Sequence, residues 1–204
     1  MKTGFTDKQA HILTVAEELI ADKGFHGTSV REICSAAGVN VAMISYYFGS
    51  KEKMMASLYR FRVERTLENF SAFTDELDGK TPTEQMKILV AFIVNHILKF
   101  SYFHGFVTQE WQSTAEVKDT LQEFYKEFAA IIVRIVDAGN ASGDFNCKPA
   151  AEDLLATMIG TIIFVIRNRN FYEKYIDEDA DYFAAAEERI REHLTTTMFG
   201  LLRR

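Results

Sequence analysis

The chain has 204 residues, 48 % of them hydrophobic and 25 % charged, with a net charge of −6. Two prolines, 11 glycines and two cysteines, Cys34 and Cys147, argue against a β-sandwich, a collagen, a low-complexity chain or a disulfide scaffold, and favour helices in a reducing compartment. A chain of this size buries roughly 70 % of its unfolded surface on folding, so an ordinary hydrophobic core suffices.

The N-terminal stretch MKTGFTDKQAHILTVAEE has no uninterrupted apolar run, so no secretory leader is expected. The most apolar stretch, Leu154 to Ile166, includes Gly160 and two threonines. It falls short of the roughly 20 residues that span a bilayer. The expected location is cytoplasmic, with no membrane partner. Charge is unevenly spread. Residues 1–65 hold nine Lys/Arg against seven Asp/Glu, whereas the remaining 139 hold 14 against 22. A near-neutral N-terminal module joined to an acidic body follows, and the two parts carry separate readings.

In chain order, Thr6 and Gln9 have capping-box spacing, and Ile12, Leu13, Ala16, Leu19 and Ile20 share one helical face. A first helix is expected from about Asp7 to Lys23, ended by Gly24. Ser29 and Glu32 open a second, short helix to about Ala37, stopped by Gly38. Asn40 caps a third over about Val41 to Phe48, ended by Gly49. Ser50 opens a long helix to about Leu77. The run Thr81-Pro82-Thr83-Glu84 then starts another, with further helices at about 84–103, 105–113, 117–139, 150–170 and 180–202. No strand-like alternation of useful length is present. The fold class is therefore all-α, with about nine helices.

The informative segment is SVREICSAAGVNVAMISYYFGSKEKM, Ser29 to Met54. Val30, Ile33, Cys34 and Ala37 put apolar or small groups on one face. Gly38 supplies a joint that tolerates positive φ, and Val39, Ile44 and Phe48 continue the contact. Small side chains let two helices approach across a tight turn, as a helix-turn-helix requires. The outward face of the third helix then presents Asn40, Ala42, Met43, Ser45 and Tyr46, narrow enough for a major groove about 12 Å wide. Tyr47 and Lys51 stand within reach of phosphates. The competing reading of the same spacing is a helical hairpin buried in a bundle.

Lys23-Gly24-Phe25, Thr28-Ser29-Val30-Arg31-Glu32-Ile33, Ala37-Gly38-Val39, Tyr47-Phe48 and Ser50-Lys51-Glu52 follow one another in order. Over about residues 8–60 this series resembles the N-terminal pattern of the tetracycline-repressor (TetR) family of bacterial transcription regulators. The resemblance implies a three-helix DNA-binding head at 1–50, and a ligand-binding and dimerisation body at 51–204. It also implies a homodimer that reads a palindromic double-stranded DNA operator, most often as a repressor released by a small effector. Thr28, Tyr47 and Lys51 match phosphate-contacting positions of the family. Ser45 and Tyr46 match recognition-helix positions, beside the cap Asn40. The chain departs from the family where many members carry lysine after the cap and this one has Val41, and where Met43 replaces a frequent threonine.

The body carries 14 of the 17 phenylalanines after residue 60. Phe92, His96, Phe100, Phe103, Trp111, Phe124 and Phe128 are expected to line a cavity for a lipophilic or aromatic effector, the alternative for each being core filler. His96, Phe100 and Phe103 share one helical face, with Phe92 a turn earlier. The segment 150–170 is apolar nearly all round and the last helix carries an apolar stripe. The family resemblance makes Leu155, Ile159, Ile162, Ile166, Ile190 and Leu194 dimer-interface residues, the alternative being burial inside the monomer. No HExxH, CxxC, nucleophile-elbow or phosphate-loop pattern occurs. Glu17-Glu18 and Glu187-Glu188 are expected on solvated faces, and His96, His104 and Glu110 form only a weak metal trio. No catalytic residue, metal or cofactor is expected, and the chain is not expected to be an enzyme. The second functional reading is an α-helical small-molecule-binding protein with an inactive DNA head.

Overall fold

The computed structural model describes residues 4–68, 70–101, 115–176 and 181–203. Among them every regular element is helical, as expected. In chain order these are α1 (Asp7–Gly27), α2 (Val30–Ala37), α3 (Val41–Phe48), α4 (Lys51–Glu68), α5 (Phe70–Leu77), α6 (Pro82–Lys99), α7 (Ala115–Ser142), α8 (Ala151–Arg167), α9 (Arg169–Tyr172), a 3₁₀ turn (Glu173–Tyr175) and α10 (Tyr182–Leu202). The helix expected at 105–113 lies outside the described residues.

Local chemistry sets the helix starts. Gln9 and Thr6 exchange hydrogen bonds at the head of α1. Full capping boxes stand at Ser29/Glu32 and Thr81/Glu84, the latter with Pro82 in the first turn. Each box satisfies backbone N–H groups that a helix start leaves without intrahelical partners. Gly24 takes φ 74° inside the span of α1, so the regular helix ends where the glycine predicts and a last turn follows it.

Two compact units form. The first runs through Ser71 and takes in residues 115–124; the second is built from Ala72 onward and from Tyr125 onward. The boundary expected at 50/51 thus falls inside the first unit, because α4 packs on α1 and α3. Met54, Met55, Leu58 and Phe61 of α4 are buried with Ile12, Leu13, Ala16 and Ile20 of α1. Charge reinforces that packing. Arg62 donates from Nε to Glu17 Oε1 at 2.6 Å and from Nη2 to Glu17 Oε2, a two-pronged pair with Glu17 only 6 % exposed. Glu17 is therefore a buried partner of α4 and not on a solvated face.

In the second unit α6 packs on α8 and α10, which also touch each other. Met86, Leu89, Val90, Ile93, Val94 and Ile97 of α6 fill the centre, with Leu154, Leu155, Met158, Ile162 and Val165 of α8 and Ile190, Leu194, Met198 and Leu202 of α10. The joint after α7 is pinned to the end of the chain, since Asn146 and Cys147 donate backbone N–H groups to the Leu202 carbonyl.

Candidate nucleic-acid interface

The first unit brings α2 and α3 together across a three-residue turn. Gly38 adopts the left-handed conformation (φ 65°, ψ 33°), where a side chain would be strained. The Val39 N–H reaches back to the Cys34 carbonyl at 2.9 Å, closing α2. His11 Nε2 lies 3.1 Å from the Ala37 carbonyl and ties the turn to α1. Ile33, Cys34, Ala37, Ile44 and Phe48 are buried. Asn40 Oδ1 accepts from the Ala42 N–H at 2.9 Å, opening α3.

With Ile44 and Phe48 holding one side of α3 inward, the opposite side presents Val41, Ala42, Ser45 and Tyr46 to solvent. Tyr46 is 82 % exposed and Val41 44 %. The Tyr46 and Tyr47 rings meet edge to face at 5.0 Å, with Tyr47 and Met43 half-buried. Lys51, half-buried, begins α4 just after Gly49. Arg31 on α2 and Lys53 on α4 are exposed cations in the same unit. The sequence alone assigns neither of them a DNA contact.

Thr28 requires a correction. It is 1 % exposed, and its hydroxyl donates to the Gly24 carbonyl at 2.9 Å and the Leu19 carbonyl at 3.2 Å. That hydroxyl closes the end of α1 and is not offered outward, so Thr28 organises the loop into α2 instead of presenting its side chain to a phosphate.

The effector candidates lie unevenly. Phe92 and His96 stack at 5.9 Å with rings 9° apart, and Phe100 follows at 5.0 Å from His96. Phe92 and His96 line an open hollow of about 320 Å³ together with Glu76, Ile88, Ala91, Asn95 and Lys99; Phe100 is not part of its lining. Phe73 lies 4.2 Å from Phe92, and Phe128 lies 6.0 Å from it. Phe73 and Phe128 are buried, so they form the packed floor of this aromatic stack. Phe124 is half-buried and belongs to the first unit. Phe103 and Trp111 lie outside the described residues, as do His104 and Glu110 of the weak metal trio. Among the described residues no group of three His, Cys, Asp or Glu could hold a metal ion, and no helix is long and apolar enough to cross a membrane.

The dimer candidates also need sorting. Leu155, Ile162, Ile190 and Leu194 are buried within the chain's own second unit, whereas Ile159 and Ile166 are only half-buried. A helix apolar nearly all round needs cover on more than one side. On α8 the outward face carries Ala156, Gly160 and Phe164, the last 53 % exposed.

A capped outward helix braced across a glycine turn defines a helix-turn-helix module. Residues 12–58 match the profile of bacterial regulatory proteins of the tetR family, and residues 82–198 match the tetracyclin repressor-like C-terminal domain. The chain belongs to the TetR family of DNA-binding transcription regulators. It is 34 % identical over 156 residues to the probable HTH-type transcriptional regulator YttP of Bacillus subtilis, covering 76 % of this chain and 74 % of that one. It is 27 % identical over 197 residues to the HTH-type transcriptional repressor NicS of Pseudomonas putida, covering 91 % of each. Among solved structures, the transcriptional regulator FadR from Bacillus subtilis in complex with stearoyl-CoA is similar with a TM-score of 0.63 and 22 % identity, covering 91 % of this chain and 97 % of that one.

Proposed function

We propose that the protein is a homodimeric repressor whose two heads occupy successive major grooves of a palindromic operator, and that a lipophilic effector releases it. The exposed face Val41, Ala42, Ser45 and Tyr46 carries this reading: Ile44 and Phe48 are buried behind it and these four side chains stand in solvent. Tyr47 and Lys51, with Arg31 and Lys53, are the phosphate partners that fix register without reading sequence. Two-fold symmetry of the protein demands half-sites about one helical turn apart, or a multiple of it.

The effector is a long-chain acyl thioester. The stacked Phe92 and His96, with Ile88 and Ala91, suit an apolar chain, while Lys99 and Asn95 beside the same hollow suit a polar or anionic head. The FadR neighbour, in complex with stearoyl-CoA, supports that class. Such a ligand acts only through its preference for the state that cannot bind DNA.

Gel retardation on the duplex flanking the protein's own gene tests the DNA reading, and stearoyl-CoA titrated into that complex tests the effector. Saturable retardation reversed by the thioester but not by free coenzyme A is expected. Retardation untouched by any acyl chain length removes the thioester, and no retardation of flanking or genomic fragments leaves a small-molecule-binding protein with a silent head.

A further inference from the structure

The exposed face of α3 has an unusual chemistry for a base-reading helix. It has no acidic residue in its first turn and no basic one in its last, and its sequence VAMISYYF holds no charged or amide side chain at all. Guanine is most often read by a forked Arg or a Lys, and adenine by the paired donor and acceptor of Asn or Gln. Neither pairing is available from α3. The adjoining amide, Asn40, uses its Oδ1 to accept from the Ala42 N–H at 2.9 Å, so a two-pronged contact with adenine would compete with its cap. What remains outward is the isopropyl group of Val41, the methyl of Ala42 and the hydroxyls of Ser45 and Tyr46.

A lone exposed valine is ordinary on a protein surface. Val41 differs by its position. It is the first residue of α3, 44 % exposed, and in helix-turn-helix proteins the N-terminal residues of this helix meet the base edges. In the major groove an apolar group has one specific partner, the C5-methyl of thymine. We infer that Val41 is a specificity-determining residue that reads a thymine methyl in each half-site. This deepens the proposed function and rests on the DNA-binding reading of the first unit. The departure from the family's lysine at this position then exchanges a charged contact for an apolar base contact.

Removing one buried methyl-sized group changes affinity about fourfold. The probe is a duplex selected from a randomised library by the purified full-length protein, with each thymine of the selected site replaced singly by deoxyuridine. That replacement keeps base pairing and deletes only the methyl. One thymine per half-site should lose about fourfold in affinity for the wild type. Val41→Ala should bind the thymine and uracil duplexes equally, at the affinity of wild type for the uracil duplex. Indifference of the wild type to uracil at every position overturns the inference and leaves DNA binding standing. A uracil penalty that persists in Val41→Ala assigns the methyl to another residue and equally overturns it. If no sequence is enriched at all, the DNA-binding reading falls and takes this inference with it.

Discussion

The Thr28 hydroxyl and the Lys51 ammonium occupy matching positions of one sequence motif, yet they make opposite predictions. Thr28 is sealed inside the first unit with two backbone carbonyls as partners. Thr28→Val should cost about 1–3 kcal/mol of stability by leaving buried acceptors unmet, with the salt dependence of DNA binding unchanged. Lys51→Ala should reduce the salt slope of DNA binding by about one. Thermal melting beside a salt titration of binding distinguishes the two. Glu32 adds a pH dependence. The Ser29 backbone N–H, the Ser29 hydroxyl and Lys23 lower its pKa from the ordinary 4.5 to about 2. A carboxyl depressed on folding stabilises above its unfolded pKa, and that contribution is lost as pH falls from 4.5 toward 2. Thermal midpoints recorded across that window should fall less steeply for Glu32→Gln than for the wild type; equal slopes exclude a contribution from Glu32. The box itself was legible in the sequence because its partners stand three residues apart. The burial of Thr28 was not, since it depends on where the end of α1 places the Leu19 and Gly24 carbonyls.

At the scale of elements, the same distinction between local and distant causes separates what the sequence revealed from what it hid. Asn40 and Gly38 act within a few residues, so α2, its turn and α3 could be placed from their spacing alone. The clasp of α1 to α4 joins residues 45 apart in the chain, and nothing in the local pattern of Glu17-Glu18 distinguishes a buried carboxylate from a solvated one. Gly139 is similar: it sits inside α7, and a Cβ there would lie 2.0 Å from the Phe145 ring. The glycine admits that ring because the chain folds back after α7, a return that helical periodicity does not encode. Removing Arg62 alone should cost about 3–5 kcal/mol, because Glu17 would be left buried and uncompensated. In chemical denaturation, the double variant Glu17→Gln with Arg62→Met should recover much of that loss. If Arg62→Ala matches wild-type stability, the pair contributes nothing to holding α4 on α1.

For the whole molecule, the sequence announced that α8 is too apolar for one covered face and that α10 carries an apolar stripe, but it did not say which face the chain covers itself. The structure divides them. Ile162 and Leu194 are fully buried against the chain's own core, so a charge there reports on folding and not on assembly. Phe164, with Ile159 and Ile163 half-buried beside it, lies on the part of α8 that its own unit leaves outward. If two copies pair through α8 and α10, Phe164→Glu should place a charge in the interface while changing the stability of the single chain by no more than about 0.5 kcal/mol. Ile162→Glu should instead unfold the second unit, at a cost of several kcal/mol for an unpaired buried charge. Sedimentation and circular dichroism read the two outcomes separately. The expected result is a helical monomer for Phe164→Glu and a chain with lost helicity for Ile162→Glu. Operator affinity should collapse in the folded monomer, because one head engages only one half-site and forfeits the effective concentration that the dimer gives the second. A Phe164→Glu protein that still sediments as a dimer would move the interface away from this face of α8. A wild type that is monomeric at micromolar concentration would overturn the paired arrangement altogether.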